Sequence, residues 1–148
     1  MSLQQGAVSV EHKQSNGLIH FAEGLIGFTE YRDFRLLDNE ALRPFSVLQC
    51  TDDNRIGFVV VDPRFVIPDY YKRIPATHWR SIGLHDPPGR LAFVVAALSR
   101  KPKDSTANFV APLIVNPRKL IGRQIMLEDR DLSVCAPLFR AFAEAHSY

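Results

Sequence analysis

The sequence has few cysteines and no long apolar run. Its two cysteines, Cys50 and Cys135, are widely separated, whereas small secreted scaffolds carry closely paired ones, which favours the cytoplasm. Cys50 follows an apolar strand and Cys135 falls on the face of an expected helix, so we interpret both thiols as buried and inert. The longest apolar run, residues 91–98, is well short of the roughly 20 residues that a membrane helix needs. No charged and then apolar leader segment begins the chain. We therefore expect a soluble, cytoplasmic protein with no membrane partner.

A strong excess of one charge is also missing. The 18 Lys and Arg residues nearly balance the 16 Asp and Glu residues, which gives a formal net charge of +2. Proteins that bind nucleic acid usually carry a larger basic excess, so we expect no direct nucleic-acid partner. Six cations still group locally, at positions that we expect to converge at the ends of adjacent strands: Arg100, Lys101, Lys103, Arg118, Lys119 and Arg123.

The strong local signatures of enzymes are absent. The sequence has no Gly-x-Ser-x-Gly elbow, no His-Glu-x-x-His helix, no phosphate-binding glycine loop and no Cys-x-x-Cys pair. The five histidines are scattered singly, which favours structural or solvated roles over metal binding. Five carboxylates adjoin turn formers, where they satisfy backbone donors: Asp52, Asp53, Asp62, Glu128 and Asp129. We predict no catalytic residue, no metal and no cofactor.

The hydrophobic pattern predicts a single, mainly β domain over residues 1–148. Strands are expected at residues 7–10, 18–21, 34–37, 45–49, 56–61 and 91–98. The Asn16–Gly17 pair predicts a hairpin between the first two strands, and the unbroken run 91–98 predicts a central strand buried on both faces. One short helix is expected within residues 75–83, and a C-terminal helix is expected to begin at Ser133. The expected architecture is a small antiparallel β-barrel or a strongly twisted sandwich.

The most informative stretch is residues 105–117, in which Asn108 and Asn116 bracket a continuous apolar run, residues 109–115. Asparagine side chains hydrogen-bond their own backbone in turns, and Pro117 cannot donate to a strand ladder. The run therefore predicts one buried strand held between two turns.

This stretch, together with residues 122–127, also carries a family resemblance. It follows three earlier blocks, FAEGLIGF at residues 21–28, PFSVLQ at 44–49 and IGFVVVDP at 56–63. In this order and spacing the blocks resemble the flagellar assembly factor family FliW from about Gly17 to Asp129. The resemblance implies a barrel-like fold and a regulator without catalytic activity. Its members bind flagellin, and they bind the translational repressor CsrA away from its RNA-contacting surface, which relieves repression of flagellin synthesis.

Exposure-prone side chains predict a partner-binding surface formed by Phe65, Asp69, Tyr70, Arg118 and Arg123. The aromatic residues fall in a segment without clear periodicity, interpreted as a surface loop, and such rings commonly anchor interfaces. Arginine binds carboxylates through two parallel hydrogen bonds, which suits an acidic peptide or a terminal carboxylate. The alternative is that the rings seal the barrel end and the cations form a solvated rim.

Two other functions are left open. A small-molecule-binding β-barrel, or an enzyme of unknown substrate, would need a concave pocket with convergent polar groups. A single-strand nucleic-acid binder would use Phe65, Tyr70 and Tyr71 as stacking platforms beside the cations, with affinity that falls steeply as salt rises.

Overall fold

The structure, a computed structural model, describes residues 13–14, 17–86 and 88–138 and is mainly β. Its strands are β1 (Lys13–Gln14), β2 (Ile19–Phe21), β3 (Asp33–Asp38), β4 (Phe45–Cys50), β5 (Gly57–Val61), β6 (Leu91–Ala97), β7 (Thr106–Ala107), β8 (Leu113–Asn116), β9 (Ile121–Gln124) and β10 (Ala136–Pro137). Among these residues, one α-helix, α1, spans Ala76–Ser81. The same ranges contain four 3-10 helices, at Glu40–Leu42, Pro63–Phe65, Tyr70–Arg73 and Pro102–Asp104. In the described part of the chain, no helix is both long and apolar enough to cross a bilayer.

Seven of the strands close into a barrel. The order β6-β5-β4-β3-β2-β9-β8 returns to its start because β6 pairs with both β5 and β8. Six of these pairings are antiparallel, and the pairing of β2 with β9 is parallel. Of the remaining strands, β1 pairs with β3, and β7 and β10 extend from β6. The predicted barrel is confirmed.

The parallel pairing depends on a glycine. In its register, Phe21 lies beside Gly122. A Cβ atom placed on Gly122 would be only 2.5 Å from Cε2 of the fully buried Phe21 ring. Glycine therefore leaves the space that the aromatic ring occupies at the seam of the barrel.

Two hydrophobic clusters lie on opposite faces of β6. One cluster, inside the barrel, contains Phe93 together with Phe21, Phe34 and Leu113. The other contains alternate β6 residues, Ala92, Val94 and Ala96, and lies between the outer face of the sheet and an external layer of short helices. This arrangement confirms the predicted central strand with burial on both faces, since β6 serves two cores.

The external layer contains the predicted helix within residues 75–83. Helix α1 begins after Pro75 and is followed by Gly83 at φ +86°, a conformation that glycine adopts without steric cost. Trp79 on the helix and Ile82 just after it are buried against the outer face of the sheet. The helix prediction is confirmed.

The preceding segment does not form the predicted surface loop. It folds into the 3-10 helices Pro63–Phe65 and Tyr70–Arg73, and it places Val66, Tyr70 and Ile74 in the outer core. The sequence pattern is short and irregular because 3-10 turns of three or four residues do not produce the 3.6-residue repeat of an α-helix.

The predicted buried strand between Asn108 and Asn116 is confirmed as β8, although it is shorter than the apolar run. A second short strand, β7, lies before Asn108, and β7 and β8 pair with different parts of β6. Between them the Asn108 side-chain oxygen accepts hydrogen bonds from the N–H groups of Val110 and Ala111. The predicted turn chemistry of both asparagines is confirmed, and the first turn separates β7 from β8.

The terminal predictions have mixed outcomes. The predicted strand at residues 7–10 lies outside the described residues, so its hairpin with β2 stays a prediction. Residues 13–14, which were expected in the turn of that hairpin, form β1 and pair with β3. At the other end the predicted helix does not start at Ser133, because β10 pairs with β7 just after it. The rest of that predicted helix, residues 139–148, lies outside the described residues.

Candidate protein-binding surface

The predicted aromatic and acidic surface residues separate into exposed and buried groups. Phe65 ends a 3-10 helix with 44% of its surface exposed, and Asp69 is also exposed. Tyr70, by contrast, is completely buried, so it is withdrawn from the predicted partner surface. Phe65 and Asp69 remain available for contact with another protein.

Tyr70 holds two segments of the outer layer together. Its hydroxyl donates a hydrogen bond of 2.5 Å to the backbone carbonyl oxygen of Phe109, and the two rings pack edge to face at 5.9 Å. Burial raises the pKa of the Tyr70 hydroxyl, so the group remains a protonated donor. Tyr70 therefore has a structural role, as in the alternative to partner binding, but it packs in the outer layer and does not seal the barrel end.

The six grouped cations do not converge. Arg118 and Lys119 lie in the turn after β8, which is next to the start of β6, because Leu91 pairs with Val115. Arg100 and Lys101 follow the last residue of β6, a strand of seven residues and roughly 20 Å. The prediction of a single basic cluster is wrong, since it assumed that the loops meet at one end of the sheet.

Arg123 differs from the other grouped cations because it already has an acidic partner. It lies on β9, and its Nε is 3.3 Å from a carboxylate oxygen of Glu23. The adjacent Gln124 accepts a hydrogen bond from the N–H of Ile26 at 2.7 Å and donates one to the carbonyl oxygen of Ala111 at 3.0 Å. This part of β9 therefore holds neighbouring loops in place, and Arg123 is a weaker candidate for partner binding than Arg118.

Two arginines and two aromatic rings pack in a row in the outer layer, with one arginine at each end. The Arg64 guanidinium lies 4.0 Å from the centre of the Tyr71 ring, Tyr71 packs at 5.5 Å against Trp79, and the Arg90 guanidinium lies 5.2 Å from the centre of the Trp79 ring. Sequence reasoning did not identify Arg64 or Arg90 as part of a site. The only available signal was their placement beside the first residues after β5 and before β6, where antiparallel pairing brings the strand ends together.

Asp62 holds Arg64 and Tyr71 in place at one end of this row. Its carboxylate accepts hydrogen bonds from the backbone N–H and the guanidinium of Arg64, and from the Tyr71 hydroxyl at 3.0 Å. The pairing raises the pKa of Arg64, while burial raises the pKa of the Tyr71 hydroxyl. The Tyr71 hydroxyl also accepts a hydrogen bond from the Ala92 N–H. Asp62 has the structural role predicted from its turn.

Two other predicted turn carboxylates also have structural partners. Asp53 accepts hydrogen bonds from the side chain and backbone of Arg55, which lower the pKa of Asp53 to about 2. Asp129 accepts from the backbone of Asp131 and pairs with Arg73 at 3.3 Å. Both interactions match the prediction that these carboxylates serve local structure.

The thiols and imidazoles show one difference from expectation. Cys50 is buried as predicted, but Cys135 is exposed, because residues 134–135 form a turn before β10 and not the first turn of a helix. The imidazole of His20 lies 2.8 Å from the Asp33 carboxylate. Over residues 17–86 and 88–138, His, Cys, Asp and Glu side chains form no group of three with metal-binding geometry.

Comparison with known proteins gives consistent matches over almost the whole chain. The family model described as FliW protein matches residues 2–138. The flagellar assembly factor FliW of Caldanaerobacter subterraneus subsp. tengcongensis is 32% identical over 149 residues, which cover 100% of this chain and 99% of the relative. That of Geotalea uraniireducens is 34% identical and covers 88% of this chain and 79% of the relative.

The fold agrees with the sequence matches. A solved crystal structure of the flagellar assembly factor FliW superposes with a TM-score of 0.74 at 27% identity, over 82% of this chain and 85% of that structure. The family resemblance of the sequence blocks is thus confirmed by the family model, by curated relatives and by the barrel itself. The chain belongs to the FliW protein family.

Proposed function

We propose that this chain is a flagellar assembly factor that works in the cytoplasm by binding proteins and not by catalysis. The observation that carries the proposal is that the family match extends over residues 2–138 and therefore includes every strand of the barrel. Relatives that cover nearly the full chain are named flagellar assembly factors. An assembly factor needs a stable scaffold with accessible surface groups, and the closed barrel with its outer layer supplies both.

The proposed partners are flagellin and the translational repressor CsrA. In this proposal, the chain binds CsrA away from its RNA-contacting surface and weakens RNA binding through coupling between two sites, an effect of typically 1–3 kcal/mol. Flagellin competes for the chain, so that repression returns when flagellin accumulates. The two complexes must have comparable affinity, because a thousandfold difference, about 4 kcal/mol, would leave the weaker partner unbound at equal concentration.

The proposed contact surface contains Phe65, Asp69 and Arg118, the three predicted residues that are exposed and have no ion-pair partner within the described residues. Phe65 supplies apolar area, and the two charged side chains supply orientation and association rate. Arg123 has a secondary place in this surface because it pairs with Glu23.

The decisive test uses purified chain with the flagellin and the CsrA of the same organism. Isothermal titration should give a saturable complex with each protein, and flagellin should release the chain from CsrA in competition. Binding of the chain to CsrA should raise the dissociation constant of the CsrA–RNA complex to a plateau, whereas direct competition for one surface would raise it without limit. If the chain binds neither protein, the proposed function is wrong.

A further inference from the structure

Arg90 and Trp79 form a pair of stacked side chains with buried hydrogen-bond donors. The Arg90 guanidinium carbon lies 5.2 Å from the centre of the Trp79 ring. Nε of Arg90 and Nε1 of Trp79 are both buried, and neither has a hydrogen-bond partner among the residues that the structure describes. Trp79 itself is completely buried, so the ring holds the guanidinium at a fixed place on the edge of the outer layer.

Strand pairing brings the turn that carries two further cations, Arg118 and Lys119, next to Arg90. The pairing of Leu91 with Val115 sets Arg90 opposite Asn116 when the antiparallel register is continued by one residue. The Asn116 side-chain oxygen accepts hydrogen bonds of 3.1 Å from the N–H groups of both Arg118 and Lys119, which fixes these residues in the adjoining turn.

Lys119 reaches the end of the helix that carries Trp79. A Cβ atom placed on Gly83 would lie 3.3 Å from Nζ of Lys119, so the ammonium group lies over the turn that ends α1. Asn116 connects the same two segments, because its amide donates a 2.7 Å hydrogen bond to the Ile82 carbonyl oxygen. The turn after β8 and the end of α1 therefore form one surface.

Arg90 contributes a hydrogen-bond donor to this surface that is not satisfied within the described residues. Within residues 17–86 and 88–138, neither Arg90, Arg118 nor Lys119 forms an ion pair, whereas the carboxylate of nearby Asp62 is already bound by Arg64. An ionised carboxylate only accepts hydrogen bonds, and a guanidinium binds it through two parallel ones. Because Trp79 already restricts Arg90, less side-chain entropy is lost when a ligand binds.

We propose that Arg90, Arg118 and Lys119 form a binding site for the carboxylates of an acidic segment in a protein partner. The inference rests on the proposed function, since it names the chemistry that one partner would present. Protein carboxylates are favoured over nucleic-acid phosphates because the site has three cations, while the second basic group, Arg100 and Lys101, lies at the far end of β6. A phosphate backbone is usually bound by a longer basic track.

The test measures binding of an acetylated hexaglutamate peptide, with hexaglutamine as the uncharged control. The chain has one tryptophan, so fluorescence and the indole N–H resonance both report on Trp79 without ambiguity. Hexaglutamate should shift both signals saturably, and hexaglutamine should not. The double variant Arg118→Glu with Lys119→Glu should weaken hexaglutamate binding by about tenfold or more.

The double variant Arg100→Glu with Lys101→Glu is the matched control. Each double variant replaces two cations with two anions and so changes the net charge from +2 to −2. Only the variant at Arg118 and Lys119 changes residues of the proposed site. The control should bind hexaglutamate within about twofold of the original chain. The variant Arg90→Gln should also weaken binding, and circular dichroism would verify that each variant is folded.

The outcomes separate this site from the proposed function. The site is wrong if hexaglutamate does not bind the original chain, if both double variants lose affinity equally, or if an oligouridylate binds these residues more tightly than hexaglutamate does. If hexaglutamate binding follows the expected pattern while flagellin and CsrA do not bind at all, the carboxylate site stands and the proposed function fails.

Discussion

The Tyr70 hydroxyl donates its hydrogen to the backbone carbonyl oxygen of Phe109, 39 positions further along the chain. Both residues are fully or nearly fully buried, and their rings pack edge to face. The interaction joins the 3-10 helix Tyr70–Arg73 to the segment between β7 and β8. It explains why a tyrosine that resembles an interface anchor in the sequence is part of the core.

Replacing Tyr70 with Phe should destabilise the fold without changing partner affinity. The substitution leaves the buried Phe109 carbonyl without its donor, which costs about 1–3 kcal/mol. Urea denaturation followed by circular dichroism would measure the loss. The matched control is Phe65→Ala at an exposed position, which should change the free energy of unfolding by no more than about 0.5 kcal/mol. Equal stability of Tyr70→Phe and the original chain would contradict this account.

Substitution by aspartate should affect stability differently at the two asparagines that flank the apolar run. Both use the side-chain oxygen as a turn acceptor, but only Asn116 also donates through its amide, to Ile82. Asn116→Asp loses this donor and places an acceptor against a carbonyl at a site that is 2% exposed, so a loss of about 1–3 kcal/mol is expected.

Asn108→Asp is the control for that change, because it retains the turn acceptor at a partly exposed position. Thermal unfolding of both variants would rank them. If Asn108→Asp lost as much stability as Asn116→Asp, the bond to Ile82 would not be the cause.

A methyl group on Gly122 should disturb the parallel seam. Gly122→Ala places Cβ 2.5 Å from the buried Phe21 ring, and overpacking of this kind costs about 1–3 kcal/mol. Gly57→Ala is a matched strand control, because its Cβ would first meet the side-chain oxygen of Gln49 at 3.0 Å, the far end of a flexible chain. Urea midpoints should fall clearly for the first variant and by little for the second. The reverse order would refute the steric explanation.

The Asp53–Arg55 pair should make a pH-dependent contribution to stability. The side-chain hydrogen bond from Arg55, with the backbone bond next in size, lowers the pKa of Asp53 to about 2 from an ordinary value of 3.8. A depressed carboxyl pKa stabilises the folded state above the unfolded value and ceases to do so as pH falls through the folded value. Stability from this pair should therefore be present above about pH 4 and disappear towards pH 2.

Carboxyl-carbon NMR can follow Asp53 directly. Its titration midpoint should lie near the lowered pKa in the original chain and should rise towards the ordinary value in Arg55→Gln, which removes the partner. A midpoint that does not move in the variant would show that Arg55 is not responsible.

The barrel strands were predictable because their signals are local. The strands β3, β4, β5 and β6 each combine a short apolar or alternating run with turn formers on both sides, and hydrogen bonding in the turns fixes where each strand ends. Between Asn108 and Asn116 the composition is apolar throughout, and this pattern predicted the buried strand β8 and the turns on either side of it. Apolar content predicted burial there but not the residue at which the strand begins.

The candidate surface was less predictable because it depends on strand order. Arg100 and Arg118 both follow apolar strands, and only the antiparallel pairing of β6 with β8 places them at opposite ends. Arg90 precedes its strand and has no local signal for a role beside Trp79, since the contact joins an external helix to the start of β6. Tyr70 likewise owes its burial to a partner distant in sequence.

The parallel union of β2 with β9 has a consequence for biosynthesis. During translation, the edge of β2 stays unpaired until the chain has been synthesised as far as Gly122, which pairs with Phe21. Contacts between residues so far apart are slow to form, on the scale of milliseconds to seconds. The nascent polypeptide thus keeps an unpaired edge on β2 until β9 has emerged, and a version truncated before β9 would present that edge to chaperones and proteases.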